Sequence, residues 1–116
     1  MTGSLYPNPS PKLSAQRRAL TPETGTAFRA FSQQVFAPGA LPAVTKQLIA
    51  VAVAHVTQCP YCIREHTQAA LRHGASREQI MEAVWVAAEM RAGGAYAHSF
   101  LALAAMDGEE NAQGSR

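Results

Sequence analysis

From Thr21 onward the apolar positions recur at three- and four-residue steps, and no stretch alternates apolar with polar as a half-buried strand does. Thr21-Pro22-Glu23-Thr24 combines a capping residue with proline at the first helical position. Phe28, Phe31 and Val35 then follow on one face until Pro38-Gly39, so a helix is expected over 22–36. Leu41-Pro42 opens a second helix whose interior, Leu48 to Ala54, is apolar on every side. Such a helix has to be buried nearly all round. Its β-branched residues make a buried strand the competing reading, but the unbroken run from Pro42 to His55 is too long for one. Pro60 suits the first turn of a third helix running to His73, which Gly74 stops as a left-handed cap. Ser76 and Gln79 have the spacing of a capping box, which opens a fourth helix to about Arg91. Gly93-Gly94 is expected to break it, and an alanine-rich fifth helix follows from Ala95 to Met106.

The pattern divides the chain into three parts. Residues 1–20 carry Pro7, Pro9 and Pro11 and are expected to be an irregular arm; 21–106 form the helical body; 107–116 form a polar tail. Both ends are expected to be mobile unless a partner holds them. A length of 116 residues implies one domain. Ten basic and eight acidic side chains, spread along the chain for a net charge of +2, leave no footprint for nucleic acid. The first residues lack the basic and apolar stretches of a secretory signal, and no apolar run reaches the ~18 residues of a membrane span. The expected location is therefore the cytoplasm. No glycine-rich dinucleotide fingerprint occurs, so no nicotinamide or flavin cofactor is expected.

Cys59 and Cys62 are the only cysteines, in Cys59-Pro60-Tyr61-Cys62, and His66 lies four residues beyond Cys62. On a helix residues three and four apart are neighbours, so the two thiols and the imidazole share a face. The positive end of the helix favours a thiolate at Cys59, while His66 can exchange a proton with Cys62. Two thiols so placed can pass between dithiol and disulfide, because a sulfenic acid formed on one is resolved by the other. Two other readings stand beside this one. The pair could begin a zinc site, for which only His55, His66 and His98 could complete the ligands, or it could pack as small apolar residues. His55 is four residues before Cys59 and reaches the site if its helix continues through the turn. His98 shares a face with the small residues Gly94, Ala102 and Ala105, and His73 faces the end of a helix dipole. Tyr61 could tune the dithiol or simply pack, and Trp85, on a polar flank with Glu78, Glu82 and Glu89, marks a subunit interface or lies under the proline-rich arm.

The stretch Leu48 to Ile63, followed by His66-Thr67 and Gly74-Ala75-Ser76, resembles the alkylhydroperoxidase D-like branch of the carboxymuconolactone decarboxylase family. The resemblance covers roughly residues 25–106, with CxxCxxxH its most specific part. It implies an all-α, single-domain helical bundle of about five helices, assembled into a homotrimer or homohexamer. It also implies thiol-dependent reduction of a hydroperoxide by cycling of Cys59 and Cys62, with Cys62 as the base-activated thiol. The expected enzyme reduces a peroxide or a disulfide with His66 as base, and its electrons have to come from a reductant such as a thioredoxin-like or lipoyl-bearing protein. The family's other branch, acting on lactones, is not built around this dithiol and is the alternative, together with a non-enzymatic zinc-binding or redox-sensing protein. Where the branch carries a glutamate twelve residues before the first cysteine, this chain has Gln47. An amide cannot take a proton, though it can orient His66; His55 is the candidate to replace the missing base.

Overall fold

The computed structural model describes residues 5–114, which fold into six helices with no strand among them: α1 (Pro11–Leu20), α2 (Pro22–Phe36), α3 (Ala43–Thr57), α4 (Pro60–Arg72), α5 (Arg77–Ala97) and α6 (Ser99–Gly114). The all-helical, single-domain expectation holds. Helix α2 keeps its expected bounds, and the capping box at the head of α5 forms in both directions, Gln79 N donating to Ser76 Oγ (3.0 Å) and Ser76 N to Gln79 Oε1 (2.8 Å).

Three local expectations fail, each for a physical reason. Pro11 does not extend the irregular arm; it occupies the first turn of α1, where its missing N–H costs nothing, and Ser10 Oγ caps the helix by accepting from Leu13 N at 3.1 Å. Gly93 and Gly94 do not interrupt α5, because two glycines cost only about 1 kcal/mol each in a helix whose neighbours are good helix formers. Helix α5 instead closes at His98, whose backbone N–H and ring Nδ1–H both donate to the Gly94 carbonyl, at 3.1 and 2.7 Å. The polar residues after Met106 continue α6 to Gly114 rather than forming an irregular tail, since Glu, Ala and Gln propagate a helix already nucleated by the apolar turns before them.

Helices α3, α4 and α5 form the packed body, with α3 against both of the others. Val51, Ala70, Ala75 and Ile80 make its core, and Val44, Leu48, Ala83 and Val84 pack around them. Val51 is fully enclosed, which stabilises the body by roughly 1.5–3 kcal/mol. Only one side of α3 is covered, however: Ile49, Val53 and Val56 remain exposed, against the expectation of burial all round. Within one chain only α4 and α5 lie along α3, while α2 touches it near the Lys46 end. There Lys46 Nζ donates to the Val35 and Ala37 carbonyls, at 2.8 and 2.6 Å, capping the end of α2. The molecule is 68 × 35 × 35 Å with a radius of gyration of 21.1 Å, far above the ~13 Å of a compact chain of about this length. Among the described residues no helix is long and apolar enough to cross a membrane.

Candidate functional site

The join between α3 and α4 sets the position of the thiols. Helix α3 ends on Gln58 in the left-handed conformation (φ 57°, ψ 46°), and the Cys59 N–H donates back to the Ala54 carbonyl at 3.1 Å. That bond fixes Cys59 as the N-cap of α4, with Pro60 at the first helical position. Cys59 Sγ accepts from Cys62 N at 3.2 Å, and the two cysteines are joined by a disulfide with their Cα atoms 5.2 Å apart. The bridge therefore spans the first turn of α4, where the backbone N–H groups of a helix are unpaired and favour negative charge.

His66 lies one turn further along α4, and its Nδ1–H donates to Gln47 Oε1 of α3 at 2.8 Å. Gln47 is only 7 % exposed and is the one polar residue buried in the body among the described residues. With the proton held at Nδ1, the lone pair of the neutral ring is at Nε2. The Phe36 ring from the end of α2 stacks on the imidazole, centroids 4.9 Å apart and planes at 25°. Beside them a pocket of about 490 Å³ lies between the end of α2 and the open side of α3. Val35, Phe36, Leu41, Ile49, Ala50 and Val53 give it apolar walls, Lys46 is its one charged lining residue, and Cys62 and His66 line it too.

The structure thus brings Cys59, Cys62, His66 and Gln47 together on facing sides of α3 and α4. His55 stays apart: its Nδ1–H donates to the Val51 carbonyl at 2.7 Å, one turn back on its own helix, and it does not line the pocket. His98 is occupied in the same way at the end of α5. Trp85 is 68 % exposed and is not covered by the described residues of the N-terminal arm; these reach α4 instead, where Tyr61 Oη donates to the Pro7 carbonyl at 2.8 Å. Phe36 and Lys46 are the site residues that spacing did not reveal. Phe36 is thirty positions from His66 and meets it only because Lys46 ties the end of α2 to α3. Among the described residues no three of His, Cys, Asp and Glu converge in a way that could hold a metal ion.

Fold and site together define an all-helical protein with a bridged CxxC at a helix N-terminus and a buried amide holding a histidine one turn away. The chain belongs to the carboxymuconolactone decarboxylase family, whose sequence model matches residues 22–105. Over 81 residues it is 69 % identical to the uncharacterised protein 4 of the cox locus of Paracoccus denitrificans, covering 70 % of this chain and 73 % of that one. Among solved structures it resembles a carboxymuconolactone decarboxylase family protein of Legionella pneumophila (TM-score 0.65, 38 % identity, 68 % of this chain and 70 % of that one). It also resembles a Thermotoga maritima member of the family described as a candidate participant in the antioxidative response (TM-score 0.53, 34 % identity, 55 % of this chain and 66 % of that one).

Proposed function

We propose that this protein is a thiol-dependent peroxidase that reduces an organic hydroperoxide by cycling Cys59 and Cys62 between dithiol and disulfide. The observation that carries the reading is the placing of Cys62 and His66 together on an apolar pocket, with Cys59 already within bonding reach. His66 Nε2 takes the Cys62 proton, and the thiolate attacks the outer peroxide oxygen. The O–O bond breaks, the alcohol leaves with the proton returned by His66, and Cys62 becomes a sulfenic acid. Cys59 attacks that sulfur, water leaves, and the disulfide forms. Two electrons and two protons from a thioredoxin-like or lipoyl-bearing dithiol restore the thiols. Gln47 keeps the Nδ1 proton in place and so holds the imidazole in the tautomer this step needs.

The exposed apolar side chains of α2, α5 and α6 support assembly into a homotrimer or homohexamer, and the location we assign is the cytoplasm. The description of the Thermotoga relative is in keeping with a peroxide-handling role. The test is a thiol count on the reduced chain before and after one equivalent of cumene hydroperoxide. Both thiols should disappear in the native chain, Cys59→Ser should stop at a sulfenic acid trapped by dimedone, and Cys62→Ser should keep its remaining thiol. Replacing His66 by Ala should slow the reaction roughly a hundredfold or more, the usual share of a general base. An undiminished thiol count in the native chain would overturn the assignment.

A further inference from the structure

Residues 5–9 run across the exposed side of the first turns of α4, the helix that carries the disulfide. Three contacts hold them there. Tyr61 Oη donates to the Pro7 carbonyl at 2.8 Å, the Tyr6 ring stands edge-on to the Tyr61 ring with centroids 5.9 Å apart and planes at 89°, and Arg64 Nη1 donates to Asn8 Oδ1 at 3.0 Å. Helix α1, which follows, has no buried residue and makes no close backbone contact with α4. Behind the segment lies an open cleft of about 710 Å³, so it arches over α4 from its Tyr61 and Arg64 anchors instead of lying flush on it. The main anchor, Tyr61, sits between the two cysteines, inside the ring that the bridge closes.

We infer that residues 5–9 are a redox-linked strap, docked on Tyr61 and Arg64 when Cys59 and Cys62 are bridged and loosened when the bridge is reduced. The inference rests on the reading of the pair as a reversible dithiol. Bridging closes a short ring through Pro60 and Tyr61 and fixes the Tyr61 backbone in one conformation. Reduction moves the two sulfurs from a covalent bond to van der Waals contact, and the Tyr61 ring and hydroxyl shift against their partners on the strap. Linkage makes the effect reciprocal: a strap that prefers the disulfide form must make that form harder to reduce, by the same factor. Proline at positions 7 and 9 keeps the strap extended in both states and lowers the entropy lost when it docks.

The test equilibrates the full chain with mixtures of reduced and oxidised dithiothreitol, in which two electrons and two protons pass to the protein sulfurs and the reagent closes to its cyclic disulfide. Tyr6→Ala combined with Asn8→Ala, both outside the helices, and separately Tyr61→Phe, should make the protein disulfide easier to reduce. A shift of roughly threefold to tenfold is expected, the range that one net hydrogen bond and one edge-to-face ring pair support. Amide exchange at Tyr6 and Asn8 should be slower in the disulfide form than in the reduced form, and Cys59→Ser should show the reduced-form rate. A strap that merely stabilised the fold would lower thermal stability equally in both redox states and leave the equilibrium unmoved. That result, or equal exchange in the two states, overturns the inference. A dithiol that equilibrates with dithiothreitol but is not reoxidised by hydroperoxide would sink the peroxidase reading alone, since the linkage is read without peroxide.

Discussion

Helices α3 to α5 and helix α6 are similarly rich in alanine and aliphatic residues, yet they end in opposite surroundings. Val51, Ala70 and Ala87 are shut away in the body, whereas every residue of α6 from Phe100 to Gly114 is exposed, Phe100 at 76 % and Leu101 at 67 %. Composition does not separate them; the joins do. Left-handed residues, Gln58 after α3 and Gly74 after α4, reverse the chain so that α4 and then α5 fold back toward α3. The join after α5 is His98 in the ordinary helical region (φ −70°, ψ −9°), which lets α6 run on from α5 with contacts only near the join. What α6, Trp85, Phe28 and Phe31 present to solvent is the apolar surface on which the proposed assembly rests.

The sharpest way to break that contrast is to put the same charge on each side of it. Val51→Asp places a carboxylate at a position with 0 % exposure, and the expected cost, on the order of 4 kcal/mol or more, should leave no cooperative unfolding transition in circular dichroism. Leu101→Asp should leave the helical content of the chain in place while shifting the species seen by size-exclusion chromatography with light scattering to a smaller mass. Equal loss of structure in the two variants would mean that the body cannot fold without the surface α6 offers, and the distinction between them would go.

Gln47 and His66 stand at the edge of the body, one partner buried and the other facing the pocket, and variants at Gln47 sharpen where that edge lies. Gln47→Leu leaves the His66 Nδ1–H without its acceptor, at a cost of about 1–3 kcal/mol. The rate of thiol oxidation by hydroperoxide should fall as well, because nothing then fixes the tautomer. Gln47→Glu supplies a proton acceptor at the same distance and should raise that rate roughly tenfold to a hundredfold, part of the usual contribution of an acid–base group. Stopped-flow measurement of thiol loss decides it; a slower Gln47→Glu variant would show that the amide is tuned to this chemistry in its own right.

Much of the body was legible because its signals are local. The cap at Thr21-Pro22, the Ser76–Gln79 box and the Gly74 stop each depend on residues within one turn, and each helix end they mark is within a residue of where the spacing put it. The errors came from signals with two local meanings. Proline breaks a helix interior but begins a helix at its first turn, and Pro11 does the latter. Paired glycines end a helix only if one takes a left-handed φ, and neither Gly93 nor Gly94 does. At the site, Cys59, Cys62 and His66 could be seen as one constellation because a single helix carries them, and Gln47 because the family pattern marked it. Phe36, Lys46 and the strap contacts at Tyr61 could not, since each depends on how distant segments dock. The spacing that admitted His55 on one continuous helix was undone by the left-handed turn at Gln58, one residue before Cys59.

The smallest effects should come from the two reversing joins themselves, which look alike and differ in the residue that makes the turn. Gly74 has φ 95° with open space where a Cβ would go, so Gly74→Ala meets no atom and pays only for the backbone, about 1–2 kcal/mol in urea unfolding. Gln58 holds φ 57° with a side chain in place, so part of that penalty is already present in the native chain. Gln58→Gly should remove it but restore freedom to the unfolded state, for a net gain of about 0.5 kcal/mol, measured on the reduced protein so that the disulfide does not enter. The join that keeps its strain is the one that feeds Cys59 into the head of α4 through the bond to Ala54. A Gln58→Gly chain that is more stable but oxidises its thiols more slowly would show that the left-handed glutamine serves the placing of the dithiol. One that is more stable and equally reactive would reduce it to a neutral choice of cap.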